Sequence, residues 1–420
     1  MKIKFVLPFL FSLLLLNARG QDRDYARNVL LKLTSEKFQG RGYLKGGNRK
    51  AARFIRNEFK KTGLLPLNAD YFQKFEININ TFPGKQKVQF GGKNLRAGTE
   101  FLIHRSSPSA KGTFDLFWLN TEKGNVDSLM RIAAEHDLSG KYLVTANQNR
   151  EWLEKNPFGA AGMVVLKDKL WWGASSGQRM SETPVISVLH NAIDTTATQI
   201  YADINARFQK DYQTQNVIGY LPGAKHPGRY FFITAHYDHI GKLGDVMFPG
   251  GNDNASGVAM MLDLARHFAK HRPAFSVVFI AFGAEETGLQ GSRYFSMNMP
   301  VSPENVMFAL NLDMIGSGSK GIKVVNGAVL HEPFQKLVQI NKENNYLNKI
   351  GKRGEAANSD HYFLYKQGIP AFFIYTLGDE YREYHNPSDK GADVPLTEYE
   401  GLFRLVKDFI GEFPLTGYKR

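Results

Sequence analysis

The sequence predicts an α/β protein: a mostly parallel mixed sheet flanked by helices, with an inserted, mostly β domain. From Asn216 onward apolar runs alternate with helical patterns, which is the signature of βα units feeding a parallel sheet. Between Pro83 and Arg207 the texture changes to short strand-like runs separated by Gly, Asn and Ser clusters. With 420 residues, 43% of them hydrophobic and 13% aromatic, the chain is long enough for two or three domains around sizeable cores. Those figures exclude disordered, fibrous and small-scaffold classes, and no internal repeat or low-complexity segment interrupts them.

The first twenty residues carry Lys2 and Lys4, an apolar run from Phe5 to Leu16, and then Asn17-Ala18-Arg19-Gly20. The run is well short of the ~20 residues a bilayer span needs, and small residues at Ala18 and Gly20 suit cleavage before Gln21. Residues 1–20 therefore read as the signal peptide of an exported protein, secreted or periplasmic, with no stable membrane insertion. Two packing helices follow: one near Tyr25 to Leu33, and one with Ala51, Phe54, Ile55 and Phe59 on a single face, stopped by Gly63. Strand candidates in the inserted region are Val88 to Phe90, Tyr142 to Thr145, Met163 to Leu166 and Val185 to Val188.

In the second half the strands are expected at Tyr230 to Thr234, Ser276 to Phe282, Met307 to Leu312 and Pro370 to Tyr375. Helices are expected at Ala255 to His271, with Val258, Leu262, Ala265 and Phe268 facing inward, and at Glu332 to Glu343. A last helix is expected to open on a capping box of Thr397 and Glu400 and to bury Leu402, Leu405, Phe409 and Ile410. The resulting division is a signal peptide at 1–20, a main α/β domain from 21–82 and 212–420, and the insertion at 83–211.

Lys and Arg outnumber Asp and Glu by 53 to 40, giving a formal charge of +13. No interleaved basic and aromatic stripe accompanies the surplus, so it reads as solvated surface and not as a nucleic-acid site. Exported chains commonly use disulfides, yet this one has no cysteine. That excludes a lipidated N-terminus, a thiol nucleophile and a Cys-rich metal site. Metal chemistry here has only His, Asp and Glu to use.

Three of the four later strands run into polar residues at their C-terminal ends: His236-Tyr237-Asp238-His239, Glu285-Glu286 after a Gly-Ala step, and Asp313. Ligands of open α/β sheets bind outside those ends, so these groups are expected to share one crevice. Asp253 sits in the Gly-rich turn Gly250 to Gly257 just before a helix, and His385 in a loop after the fourth strand. Taken singly, each has an ordinary structural reading. A buried His beside an Asp is a common core feature, a Glu pair is usually a solvated loop, and an Asp before a helix is usually a cap. Their order and strand-end placement together point to a metal.

Imidazole nitrogen and carboxylate oxygen without thiolate suit zinc with positions left open for catalysis. Asp253, Glu286 and Asp313 fall one negative charge short of neutralising two zinc ions, and a bridging hydroxide supplies it. The balance favours two ions, roughly 3.5 to 4 Å apart, over one. Adjacent Glu285 and Glu286 offer one ligand and one general base.

Five ordered segments carry a resemblance: Ala235 to Gly241, Gly251 to Gly257, Glu285 to Ser292, Asn311 to Gly316 and Tyr384 to Asp389. They are similar to the motifs of the secreted co-catalytic di-zinc aminopeptidases, whose relatives include bacterial leucyl-type aminopeptidases, glutamate carboxypeptidase, transferrin receptor and glutaminyl cyclase. The resemblance covers residues 24 to 82 and 212 to 415 and implies a zinc-exopeptidase fold. It implies that His236 and Asp313 bind one zinc and Glu286 and His385 the other, with Asp253 bridging. Glu285 becomes the general base, Asp238 orients His236, and Tyr384 donates to the oxyanion. Ser359-Asp360-His361 is near-site, and His239 shapes its loop.

The insertion resembles a protease-associated domain, through Gly140 to Val144, Gly159 to Val165 and Pro184 to Val188. It is expected to wall one side of the crevice and to affect selectivity more than chemistry. The function implied is a zinc-dependent aminopeptidase with two zinc ions per chain. It hydrolyses the N-terminal bond of peptides that have a free N-terminus, through a di-zinc-bound hydroxide. A glutaminyl cyclase-like acyl transferase and a non-catalytic binding protein on a peptidase scaffold are the alternatives. No feature of the sequence sets an oligomeric state.

Overall fold

The computed structural model describes residues 22–119, 131, 134–146, 150–173 and 175–418. The predicted signal peptide lies outside them. Among the described residues no helix is long and apolar enough to cross a membrane.

A sheet of eight strands forms the main layer. Its order is Phe72–Thr81, Arg207–Leu221, Phe275–Phe282, His226–His236, Val306–Leu312, Ala371–Thr376, Ile322–Val325 and Ile350–Arg353. The four predicted strands of the second half are its central four, and they run parallel. Phe275–Phe282 and Val306–Leu312 are buried at every residue, as expected of strands covered on both faces. The long pair Phe72–Thr81 and Arg207–Leu221 runs antiparallel at one edge, and the sequence reading missed it. Its solvent-facing positions are filled by Lys, Gln and Glu, which mute the apolar signal.

Helices cover the faces where apolar residues recur at helical spacing. Arg23–Leu33 buries Ala26, Val29, Leu30 and Leu33, and Gly47–Thr62 buries Ala51, Ala52, Ile55 and Phe59. The latter ends on Gly63 at φ 82°, the left-handed cap that glycine adopts without strain. Gly257–Lys270 and His331–Asn344 fall where expected. The last helix departs from expectation. It begins at Tyr399, and no side chain caps it. The Thr397 hydroxyl is spent on Glu380, so the capping box does not form.

A second eight-stranded sheet occupies residues 87–204, with Ala110–Trp118, Lys141–Thr145, Gly162–Lys167 and Val185–Leu189 parallel at its centre. The chain leaves the first sheet at Thr81 and re-enters it at Arg207, directly opposite on the neighbouring strand. Phe82, Trp172, Ile240, Leu243 and Phe248 share one apolar cluster, so the second sheet packs on the loop that follows His236.

Candidate metal centre

The central strands deliver their polar residues to one edge of the sheet. His236 is the last residue of its strand, Asp313 directly follows Val306–Leu312, and Glu285 and Glu286 follow Phe275–Phe282 across Gly283 and Ala284. Asp253 comes from the turn Gly251–Ser256, which runs into the Gly257–Lys270 helix. Two glycines make that turn possible. Gly250 has φ 65°, and a Cβ there would lie 2.3 Å from Asp253 O; one on Gly257 would lie 2.3 Å from Leu312 O.

Asp253 stands between two histidines. His236 Nε2 lies 3.2 Å from its Oδ1 and 3.3 Å from Asp313 Oδ1. His385 Nε2 lies 2.9 Å from its Oδ2 and 3.3 Å from Glu286 Oε2. Each carboxylate oxygen of Asp253 therefore faces a different imidazole. Exposure of the five side-chain-bearing residues runs only from 2% at His236 to 8% at Glu286. His239, which the sequence reading left to the loop, joins this cluster: its Nδ1 is 2.7 Å from Glu286 Oε1.

The electrostatics divide the two adjacent glutamates. Burial opposes charge on Glu286, but His385 and His239 beside it bring its carboxyl down to about 2. For Glu285, burial and the negative neighbours Glu286, Asp360 and Asp313 outweigh His236 and push the carboxyl well above its usual range. Asp253 also resists burial, held well below the usual range by its bonds to His236 and His385.

The donor set fits zinc. Three buried carboxylates converge with two imidazoles, and the two buried arginines nearby do not neutralise them by contact. Arg41 gives its N–H groups to the backbone carbonyls of Tyr237, Pro249, Gly250 and Asp253 at 2.6 to 3.0 Å. Arg105 gives one to Ile240 O at 2.7 Å. Ligand atoms of His236, Asp253 and Asp313 lie within 4.8 Å of one another, as do those of His239, Asp253, Glu286 and His385. The two groups share Asp253.

Other side chains hold the cluster in place. Asp389 accepts the N–H groups of Asn252 and Asp253 at 2.7 and 3.1 Å, and Ser359 donates to Asp313 Oδ2 at 2.7 Å. Asp238 meets His236 Nδ1 through its backbone carbonyl at 3.2 Å, while its carboxylate stays 3.9 Å away. That carboxylate instead accepts from Tyr43 at 3.2 Å and from Glu285 N–H at 3.0 Å. Arg41 and Tyr43 were not singled out from the sequence; the flanking Gly40 and Gly42 were the available sign that Arg41 occupies a constrained position.

A cavity of about 440 Å³ opens over the cluster. Glu285 and Tyr384 line it, together with Met314, Arg353, Phe373 and Tyr375. The Tyr384 ring stacks on the His385 imidazole with centroids 3.9 Å apart, and the residue is 40% exposed.

Residues 216–410 match the sequence model of peptidase family M28. The matched segment contains all eight residues singled out as site candidates. A "Probable zinc metalloprotease" of Pyricularia oryzae is 33% identical over 205 residues, 47% of this chain and 36% of that protein. Aminopeptidase YwaD of Bacillus subtilis is 26% identical over 277 residues, 61% of this chain and 57% of its own length. The chain thus spans only 36% of the length of the fungal relative it matches. Among solved structures, BSAP, a zinc aminopeptidase from Bacillus subtilis, superposes with a TM-score of 0.70 at 19% identity, covering 94% of this chain and 98% of that one. At that identity the likeness is one of fold.

Proposed function

We propose that the chain is an exported zinc aminopeptidase that removes residues from the free N-terminus of peptides, with two zinc ions per chain. The observation that carries this reading is Asp253, whose two carboxylate oxygens face His236 and His385 separately. His236 and Asp313 would hold one ion and Glu286 and His385 the other, with Asp253 shared. The M28 match and the printed names of the zinc metalloprotease and aminopeptidase relatives support it. The apolar leader at residues 1–20 supports export.

Zinc bound there supplies Lewis acidity, polarising a carbonyl oxygen and making water easier to deprotonate. The chain's own groups do the rest. Glu285, at the cavity wall and outside both imidazole contacts, takes the proton of the attacking water on its carboxylate and passes it to the leaving amine nitrogen. Tyr384, which lines the cavity, would donate its hydroxyl proton to the oxygen that gains charge. Asp238 keeps Glu285 in place through its N–H and sets the His236 tautomer through its own carbonyl.

The test is metal analysis of the purified chain combined with an aminoacyl-anilide and its N-acetylated counterpart. About two zinc ions per chain, loss of turnover on chelation and cleavage of the free compound alone are expected. Full activity with one metal, or equal cleavage of blocked and free compounds, would count against the reading.

A further inference from the structure

A second cavity, which shares no lining residue with the one over the metal cluster, has a charge pattern that local structure does not explain. It measures about 440 Å³ and lies between the start of the Gly47–Thr62 helix and the first part of the Arg207–Leu221 strand. Lys45, Arg49, Lys50, Arg53 and Arg207 line it, and none of its lining residues is acidic.

This arrangement works against the helix that carries it. The N-terminal end of a helix favours acidic side chains, and like charges four residues apart repel. Here the first turn has no acidic residue, Arg49 and Arg53 stand four residues apart in the helix with Lys50 beside them, and Lys45 lies in the turn just before it. Arg207 adds a fifth charge from a strand remote in sequence, so the grouping is a product of the fold and not of one basic stretch. Among the described residues, Lys45, Lys50, Arg53 and Arg207 take part in no ion pair. Arg49 is fixed from below: its Nε donates to the Tyr212 hydroxyl at 3.1 Å, and its guanidinium lies 5.0 Å over that ring. Tyr43 and Tyr212, packed edge to face at 5.4 Å, make a rigid floor. Departures from local rules of this kind are expected at functional sites.

We propose that this cavity binds a small, multiply charged oxyanion of the phosphate type. The volume suits such an ion with its hydration, and convergent guanidinium and ammonium groups are the donors such oxygens take.

The experiment titrates the full chain with inorganic phosphate by calorimetry, beside a Lys45→Gln/Lys50→Gln/Arg53→Gln variant and with sodium chloride matched in ionic strength. Saturable binding is expected, weaker by about tenfold or more in the variant and tightening as salt is lowered. Without phosphate the variant should melt no lower than the parent, because its substitutions relieve repulsion at the helix end. Binding unchanged in the variant, or heat no greater than chloride gives, would overturn the proposal. Tighter binding of an Asp/Glu-rich hexapeptide than of phosphate at the same cations would replace the small ligand with an acidic peptide.

Discussion

Glu285 and Glu286 are chemically identical neighbours, and their surroundings alone give them different work. Glu286 is paired with His385 and His239, whereas Glu285 contacts neither imidazole and lines the cavity. Glu285→Gln should lower kcat by about 10² to 10⁴ with metal content unchanged, since the amide cannot accept a proton. Glu286→Gln should instead lower zinc content. Metal analysis beside steady-state kinetics separates them, and exchanged phenotypes would reverse the roles. The converging residues were legible in the sequence because each sits at a strand end or in a Gly-rich turn, where position carries meaning. Arg41 was not. Its partners are backbone carbonyls, which every residue has, so no spacing marks them. His239 was set aside for a similar reason, since its contact with Glu286 joins loops far apart in sequence.

At the scale of elements, helices and central strands were readable because their apolar periodicity is strong; the edge pair and the start of the last helix were not, since polar contacts decide them. One such contact is Asp263 in the Gly257–Lys270 helix. Its carboxylate accepts from Asp22 N–H at 2.9 Å and from the Tyr399 hydroxyl at 3.3 Å, tying the Arg23–Leu33 and Tyr399–Gly411 helices to this one. Burial raises its carboxyl from 3.8 to about 6 despite Arg266. Between those values the folded chain keeps a proton that the unfolded chain releases. The resulting stabilisation is complete below the unfolded value and is lost as pH rises through about 6. Asp263→Asn keeps an acceptor but cannot titrate. Its stability relative to the parent should therefore improve by about 1 to 3 kcal/mol between pH 4 and pH 7. Urea unfolding of both proteins at the two pH values measures this, and identical pH slopes would contradict it.

Across the whole molecule, the second sheet reaches the metal centre through its supports. These contacts give it a role in supporting the chemistry beside the role in selectivity expected from the sequence. The Trp172 backbone N–H donates to the backbone carbonyl of His385 at 3.0 Å, and its ring packs on Phe248 and carries Arg105 at 4.2 Å. Arg105 is 3% exposed and donates to Ile240 O, in the loop that follows the His236 strand. Burial lowers its guanidinium to about 10, and the negative Glu286 is the largest influence holding it charged. The region thus supplies a buried cation to the field of the carboxylates and a fixed backbone for one imidazole. Arg105→Met keeps much of the volume and removes both the charge and the donor, at a cost of about 1.5 to 3 kcal/mol in stability. It should also lower kcat/KM by roughly tenfold or more for every aminoacyl-anilide alike, with Arg105→Lys recovering part of the loss. A panel of anilides assayed well below the melting temperature decides between the two views. A uniform fall places the second sheet in the support of the chemistry, and a change confined to the ranking of substrates returns it to selectivity.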